Sequence, residues 1–246
     1  MYALAVFIFC TALGVYVLRD ILFPTPTCFD AKQNGYESGI DCGGVCSLRC
    51  EQEIIPLTVL WSRHLRVATG TYDLVAMVHN KNINNASKAL GYTFSLYNKE
   101  GGLLGEYSGT TTAPVDGDFP IIIQSATPTG TPETIAVHLN DTEHYSVEEK
   151  PTLPTVRVGN EEYEPGSIPR VYAMVMNTKR VVILDLPVRV VLYDADDNAY
   201  AVAQTVIPRL DKEEIKDITF TWNAPLPYAP TKIRVYPIFN PFVTVQ

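Results

Sequence analysis

The sequence has no basic stripe: Asp and Glu outnumber Lys and Arg by 27 to 19, for a formal net charge of −8. The electrostatic attraction that dominates binding to a phosphate backbone is missing, so nucleic acid is excluded as an expected partner. It has no Gly-x-Ser-x-Gly elbow and no Ser-x-x-Lys pair. The four histidines (His64, His79, His138 and His144) are scattered with no nucleophile beside them. No catalytic residue is expected, and the protein is read as a non-enzyme. Helical periodicity is absent beyond the first two dozen residues, and the only tryptophans are Trp61 and Trp222. What remains is rich in Tyr, Val, Thr and Pro, residues that favour pleated, half-buried surfaces and turns. An all-β chain is expected.

One long apolar run is present. Residues 1–18 carry no charge, and after Arg19 and Asp20 a further apolar triplet extends to Phe23. At about 1.5 Å of rise per residue this stretch is long enough to cross a hydrocarbon core as a helix. A cleaved secretory signal is the competing reading, but no charge precedes the run and no Ala-x-Ala follows it. A single transmembrane anchor over residues 1–23, with Cys10 as an apolar filler, is therefore expected. Arg19 on the C-terminal side argues, taken alone, for an inward-facing bulk. The remaining cysteines argue the other way.

Those four cysteines (Cys28, Cys42, Cys46 and Cys50) fall in a short polar stretch within residues 24–53. An even count in a Gly-rich segment with little to bury reads as two disulfides, in any of three connectivities, formed in an oxidising compartment. Zinc is disfavoured because paired Cys-x-x-Cys knuckles are absent. Asp30, Asn34, Glu37 and Asp41 place hard oxygen atoms on a loop turned by Gly35 and Gly39. That is a calcium-like donor set, though the spacing is not that of an EF-hand and Asx residues also make plain turns. Cys28, Asp30, Asn34-Gly35, Glu37, Gly39, Asp41-Cys42-Gly43-Gly44, Cys46 and Cys50 together resemble the segment C-x-D-x-x-x-N-G-x-E-x-G-x-D-C-G-G-x-C-x-x-C of bacterial surface proteins. This copy has three residues before the last cysteine instead of two. The resemblance implies a surface or linker module without catalysis.

Beyond Pro56 the pattern becomes short apolar or alternating runs broken by Gly, Asn, Asp and Pro, as in sandwich strands. The runs recur in order. Ala76 to Asn80 matches Ala173 to Asn177, Phe94 to Asn98 matches Val190 to Asp194, and Ala113-Pro114 matches Ile207-Pro208. Pro132, Ile135 and Val137 match Pro230, Ile233 and Val235. Two tandem Ig/fibronectin-like sandwiches are expected, over 54–148 and 155–246. Asn80 and Asn177 read as turn residues, Asp194 to Asn198 as an acidic hairpin tip, and Glu161, Glu162 and Glu164 as a solvated loop. Trp61 and Trp222 read as packing residues. Tyr228, Tyr236, Phe239 and Phe242 form an aromatic C-terminal set suited to docking a partner or packing on a domain edge.

The Phe94-Ser95-Leu96-Tyr97 strand, with its Asn-ended predecessor and Pro-led successor, resembles the FxLYD-type domain, a fibronectin- or LEA-like sandwich of prokaryotic envelope proteins. The second copy has Val190 in place of the Phe. The resemblance implies a non-catalytic sandwich and brings no active-site residues. The expected function is a single-pass protein, tethered through residues 1–23, whose extracytoplasmic bulk presents two sandwiches to a protein or envelope partner. A single-pass subunit of a membrane complex is the first alternative and a secreted enzyme or accessory domain the second.

Overall fold

The computed structural model describes Val15 and residues 27–140, 144–146 (backbone only), 156–178 and 180–240. Apart from Val15, the apolar run at 1–23 lies outside the described residues, as do Cys10 and Phe242. Among the described residues no helix is long and apolar enough to cross a membrane. The chain divides into two compact units, Met1–Cys50 and Glu51–Gln246.

The second unit is all-β. Its first half contains β1 (Thr58–Ala68), β2 (Thr71–Asn80), β3 (Asn85–Tyr97), β4 (Leu103–Ala113), β5 (Gly117–Ala126), β6 (Thr134–Asn140) and the short β7 (His144–Ser146). Its second half contains β8 (Val156–Glu164), β9 (Arg170–Asn177), β10 (Ile183–Tyr193), β11 (Ala199–Leu210), β12 (Ile215–Thr221) and β13 (Lys232–Pro237). Four antiparallel sheets result, ordered β4-β3-β6 with β7 also on β3, β1-β2-β5, β11-β10-β13 and β12-β9-β8. The repeat is thus repeated as topology. β2 is central in one sheet and its counterpart β9 in another. β3, β4 and β6 occupy the places of β10, β11 and β13.

Period-2 alternation sends every second side chain of a strand to the same face. In the first half Leu74, Ala76 and Val78 of β2 meet Phe94 and Leu96 of β3 in a closed core. In the second, Val171, Ala173 and Val175 of β9 meet Val188, Val190 and Leu192 of β10. Each half is a β-sandwich-like pair of sheets. A third apolar layer joins them: Val75, Met77 and Ile122 pack against Val191, Tyr193, Ala199 and Val202. The sheets therefore stack four deep. The middle strands of the two central sheets, β2 and β10, are buried on both faces.

Several sequence expectations are corrected. Glu161, Glu162 and Glu164 are not in a loop but on β8, where Glu162 pairs with Tyr172 and Glu164 with Arg170. β8 is an edge strand with an exposed outer side, so its composition is that of a solvated surface. β4 was not legible because it is also an edge strand, with Ser, Thr and Gly diluting its alternation. There Tyr92 lies across Gly109, where a Cβ would sit 2.4 Å from the phenol oxygen. The C-terminal aromatics do not form one exposed patch. Tyr236 packs toward the junction, Phe239 packs on the second core, and Ile238 beside it is buried in the core of the first half. Tyr228 stays half exposed, with its ring 4.5 Å from that of Tyr200.

Candidate functional site

Two regions bring functional side chains together: the cysteine-stapled segment and the junction between the sandwich halves. In the segment the bridges are Cys28–Cys46 and Cys42–Cys50. With both pairs oxidised, the cluster of Cys28, Glu37 and Cys46 offers no thiolate to a metal. The motif residues each have a structural task. Asp41, at a φ of 53°, accepts the backbone N–H groups of Asp30 at 2.9 Å and Ala31 at 2.8 Å. Asp30 accepts from the Lys32 N–H and from the Asn34 side-chain amide, and the amide holds the Asp30 carboxyl below its ordinary value. Glu37 accepts the Asn34 N–H while its own N–H donates to the Asn34 carbonyl. A Cβ on Gly39 would lie 2.8 Å from the sulfurs of both Cys42 and Cys50, and one on Gly44 would lie 1.7 Å from the Tyr36 carbonyl oxygen. Both sites require glycine.

The four oxygen-bearing residues expected to serve calcium are thus gathered in one segment, and their carboxylates accept N–H donors there. That is the chemistry of a self-capped turn. One atom departs from it: Asn34 Oδ1 is buried without a hydrogen-bond partner.

In the sandwiches, the two repeated asparagines prove to be interior staples. Asn80 is fully buried. Its amide donates to the carbonyls of Asn85 at 2.9 Å and Pro114 at 2.7 Å, and its oxygen accepts the N–H and side-chain amide of Asn82. Asn177, equally buried, donates to the carbonyls of Val181 at 2.7 Å and Asp211 at 2.9 Å. Both reach a carbonyl 34 residues downstream and tie two connections of the sandwich together. The turns after β3 and β10 repeat as well: Asn98 accepts the N–H groups of Glu100 and Gly102, and Asp194 those of Asp196 and Asn198. The acidic tip is a turn of this kind, and the bond from Asn198 lowers the Asp194 carboxyl.

The junction carries residues the sequence reading missed. Arg189, only 6% exposed, donates to the Pro120 carbonyl of β5 and, at 2.9 Å, to the Thr111 hydroxyl of β4. It thereby ties the second half to both sheets of the first. Burial lowers its pKa to about 10. Asp73, 5% exposed, accepts the Ser125 N–H at 2.9 Å, and burial raises its carboxyl. Arg63 donates to Asn198 at 2.6 Å, and the Trp61 and Tyr193 rings meet edge-on at 6.4 Å. A signal for Arg189 and Asp73 was present in the sequence: each is a charge flanked by apolar residues within a strand, in Pro-Val-Arg-Val-Val and Tyr-Asp-Leu-Val.

The tryptophans do pack, Trp222 in the second core with its indole N–H on the Val202 carbonyl and Trp61 at the junction. His64 contacts the Glu133 carbonyl at 3.4 Å, His79 pairs with Asp118 at 2.6 Å across β2 and β5, and His138 lies on β6. The side chain of His144 is outside the described set.

No family model matches the chain, and no curated protein matches it. Among solved structures, that of red sea bream transglutaminase is similar at 10% identity and a TM-score of 0.26, over 75% of this chain and 29% of that one.

Proposed function

We propose that the chain is a membrane-anchored, extracytoplasmic, non-catalytic protein in which residues 1–23 hold one end and the four-sheet stack is presented to a protein or envelope partner. The observation that carries the reading is the pairing of all four cysteines of the stapled segment, close behind the apolar run. Disulfides in a segment with so little to bury belong to an oxidising compartment. The Ig/fibronectin-like character of the sandwiches, and their FxLYD resemblance, belong to the same reading. Alkaline carbonate extraction of native membranes, combined with thiol alkylation before and after reduction, tests it. The expected result is a chain retained in the membrane pellet in which Cys28, Cys42, Cys46 and Cys50, located by peptide mapping apart from Cys10, react only after reduction. A chain in the carbonate supernatant, or any of those four thiols reacting at once, would sink it.

A calcium ion in the stapled segment is a second reading, favoured by the unpartnered Asn34 Oδ1, whose side-chain amide donates to Asp30. Calorimetric titration with calcium decides it, and a flat titration to about 1 mM, the weak end for extracellular calcium modules, removes the ion from the account.

A further inference from the structure

Where β1 and the end of β5 diverge from β11, the stack leaves a cleft with a volume of about 400 Å³. That is within the ordinary size range of small-ligand sites, about 300–1,000 Å³. Its walls are mixed: Tyr200, Trp222, Leu226 and Pro227 supply an apolar and aromatic part, and Gln124 and Asn223 a polar one. Two charged side chains line it, Asp73 and Arg66. Arg66 is exposed, whereas Asp73 is nine-tenths buried and forms no ion pair among the described residues.

The internal repeat shows that the sandwich itself does not call for this carboxylate. With Ala76 matched to Ala173, Asp73 falls on Arg170, a partly exposed residue lying 3.7 Å from Glu164 on the neighbouring strand. The irregularity Asp73 serves is also confined to the first copy. The β2–β5 register shifts between Tyr72 and Leu74, with Ser125 at a φ of 59°, while β9 and β12 pair without a break. One Asp73 oxygen accepts the Ser125 N–H, and the carboxylate's side chain lines the cleft. An unpaired carboxylate in such a place is costly, and a cation seated against it offsets the cost.

We propose that this cleft binds an organic cation, an ammonium or guanidinium group on an apolar stem, with Asp73 accepting its N–H donors and Tyr200, Trp222 and Leu226 packing the stem. The same chemistry is supplied by a free amine or by a basic side chain of a partner protein, and the site exists only because the two sandwiches are stacked.

Trp222 lines the cleft, so its fluorescence reports occupancy. The test titrates the oxidised full chain with phenethylammonium, with its uncharged isostere phenethyl alcohol, and with the blocked peptide acetyl-Ala-Arg-Ala-amide. The same series is run on D73N, which retains an oxygen acceptor for the Ser125 N–H. The expected result is saturable binding of a cationic probe, weaker by at least about tenfold for the alcohol and for D73N, the equivalent of one lost charge-assisted contact. Binding of the peptide alone identifies a partner protein as the source, and binding of the amine alone a small molecule. Equal affinity of amine and alcohol overturns the proposal, as does undiminished binding by D73N. So does the absence of saturation by either cation up to about 10 mM, weaker than any useful affinity. Thermal unfolding of D73N, run alongside, shows that a loss of binding is not a loss of fold.

Discussion

The two sandwich halves share their interiors and differ on their outer faces. Phe94 and Leu96 occupy the places of Val190 and Leu192, and Asn80 the place of Asn177; all are buried. On the opposite side of the same strands the agreement ends. Ser95 of β3 corresponds to Val191 of β10, and Thr93 to Arg189. Ser95 bonds to Glu106 on an exposed surface, whereas Val191 is fully buried at the junction. The first half docks through β1-β2-β5 and the second through β11-β10-β13, so the joined faces are not equivalent. Such a head-to-tail interface would repeat indefinitely unless the end faces differed. Serines and threonines on the outer side of β3 end the stack there. Duplication supplied one core twice, and divergence on the other face joined the copies.

The comparison breaks most visibly at the shared core. Phe94→Ala and Leu192→Ala are each expected to cost about 3–5 kcal/mol in urea unfolding. The stacked layer makes both losses appear in one transition, and separate transitions in the unsubstituted protein would break that expectation. Next come the paired staples. Asn80→Ala and Asn177→Ala each remove a fully buried amide with two hydrogen bonds to carbonyls and are expected to cost about 2–3 kcal/mol, with chemical denaturation as the check. A loss confined to one copy would show that the repeated geometry is not repeated energetics.

The junction is tested by moving one copy's residue into the other. Val191→Ser, which gives β10 the residue of β3, is expected to cost about 1.5–3 kcal/mol of apolar burial and to weaken coupling between the halves. The reverse change, Ser95→Val, is expected to stay within about 0.5 kcal/mol because its site is exposed. Equal effects would remove the distinction between the two faces. The smallest effect concerns Asp73. Burial raises its folded-state carboxyl above the ordinary 3.8, so the folded chain holds this proton more tightly than the unfolded one. Its contribution is most favourable below that ordinary value and is lost as pH rises through the raised one. Asp73→Asn is expected to flatten this part of the stability–pH curve and to stabilise the fold at neutral pH; the matched Arg170→Gln is not. Thermal melts across the acid range check both.

Much of this was legible along the chain. The strands around Leu74, Phe94, Ala173 and Val190 announced themselves by alternation, because a half-buried strand must place apolar side chains at every second position. The turn roles of Asn98 and Asp194 were readable from residue type, since a short side-chain oxygen caps N–H groups two and four residues on. β4 and β8 were not, because an edge strand with one wet face has the composition of a loop. In the stapled segment the oxidised state followed from composition, while the choice among three connectivities did not.

By itself, then, the sequence determined the all-β class, the twofold repeat and the identity of each half's core, all of which depend on near-neighbour periodicity along the chain. Only the tertiary structure decided that Asn80 and Asn177 bind carbonyls 34 residues away, and that Ile238 enters the other half's core. It also decided that a second face of β2 and β10 is buried, and that Asp73 lies at a cleft. Each of these depends on which surfaces meet, and no local pattern records the partner of a sheet's outer face.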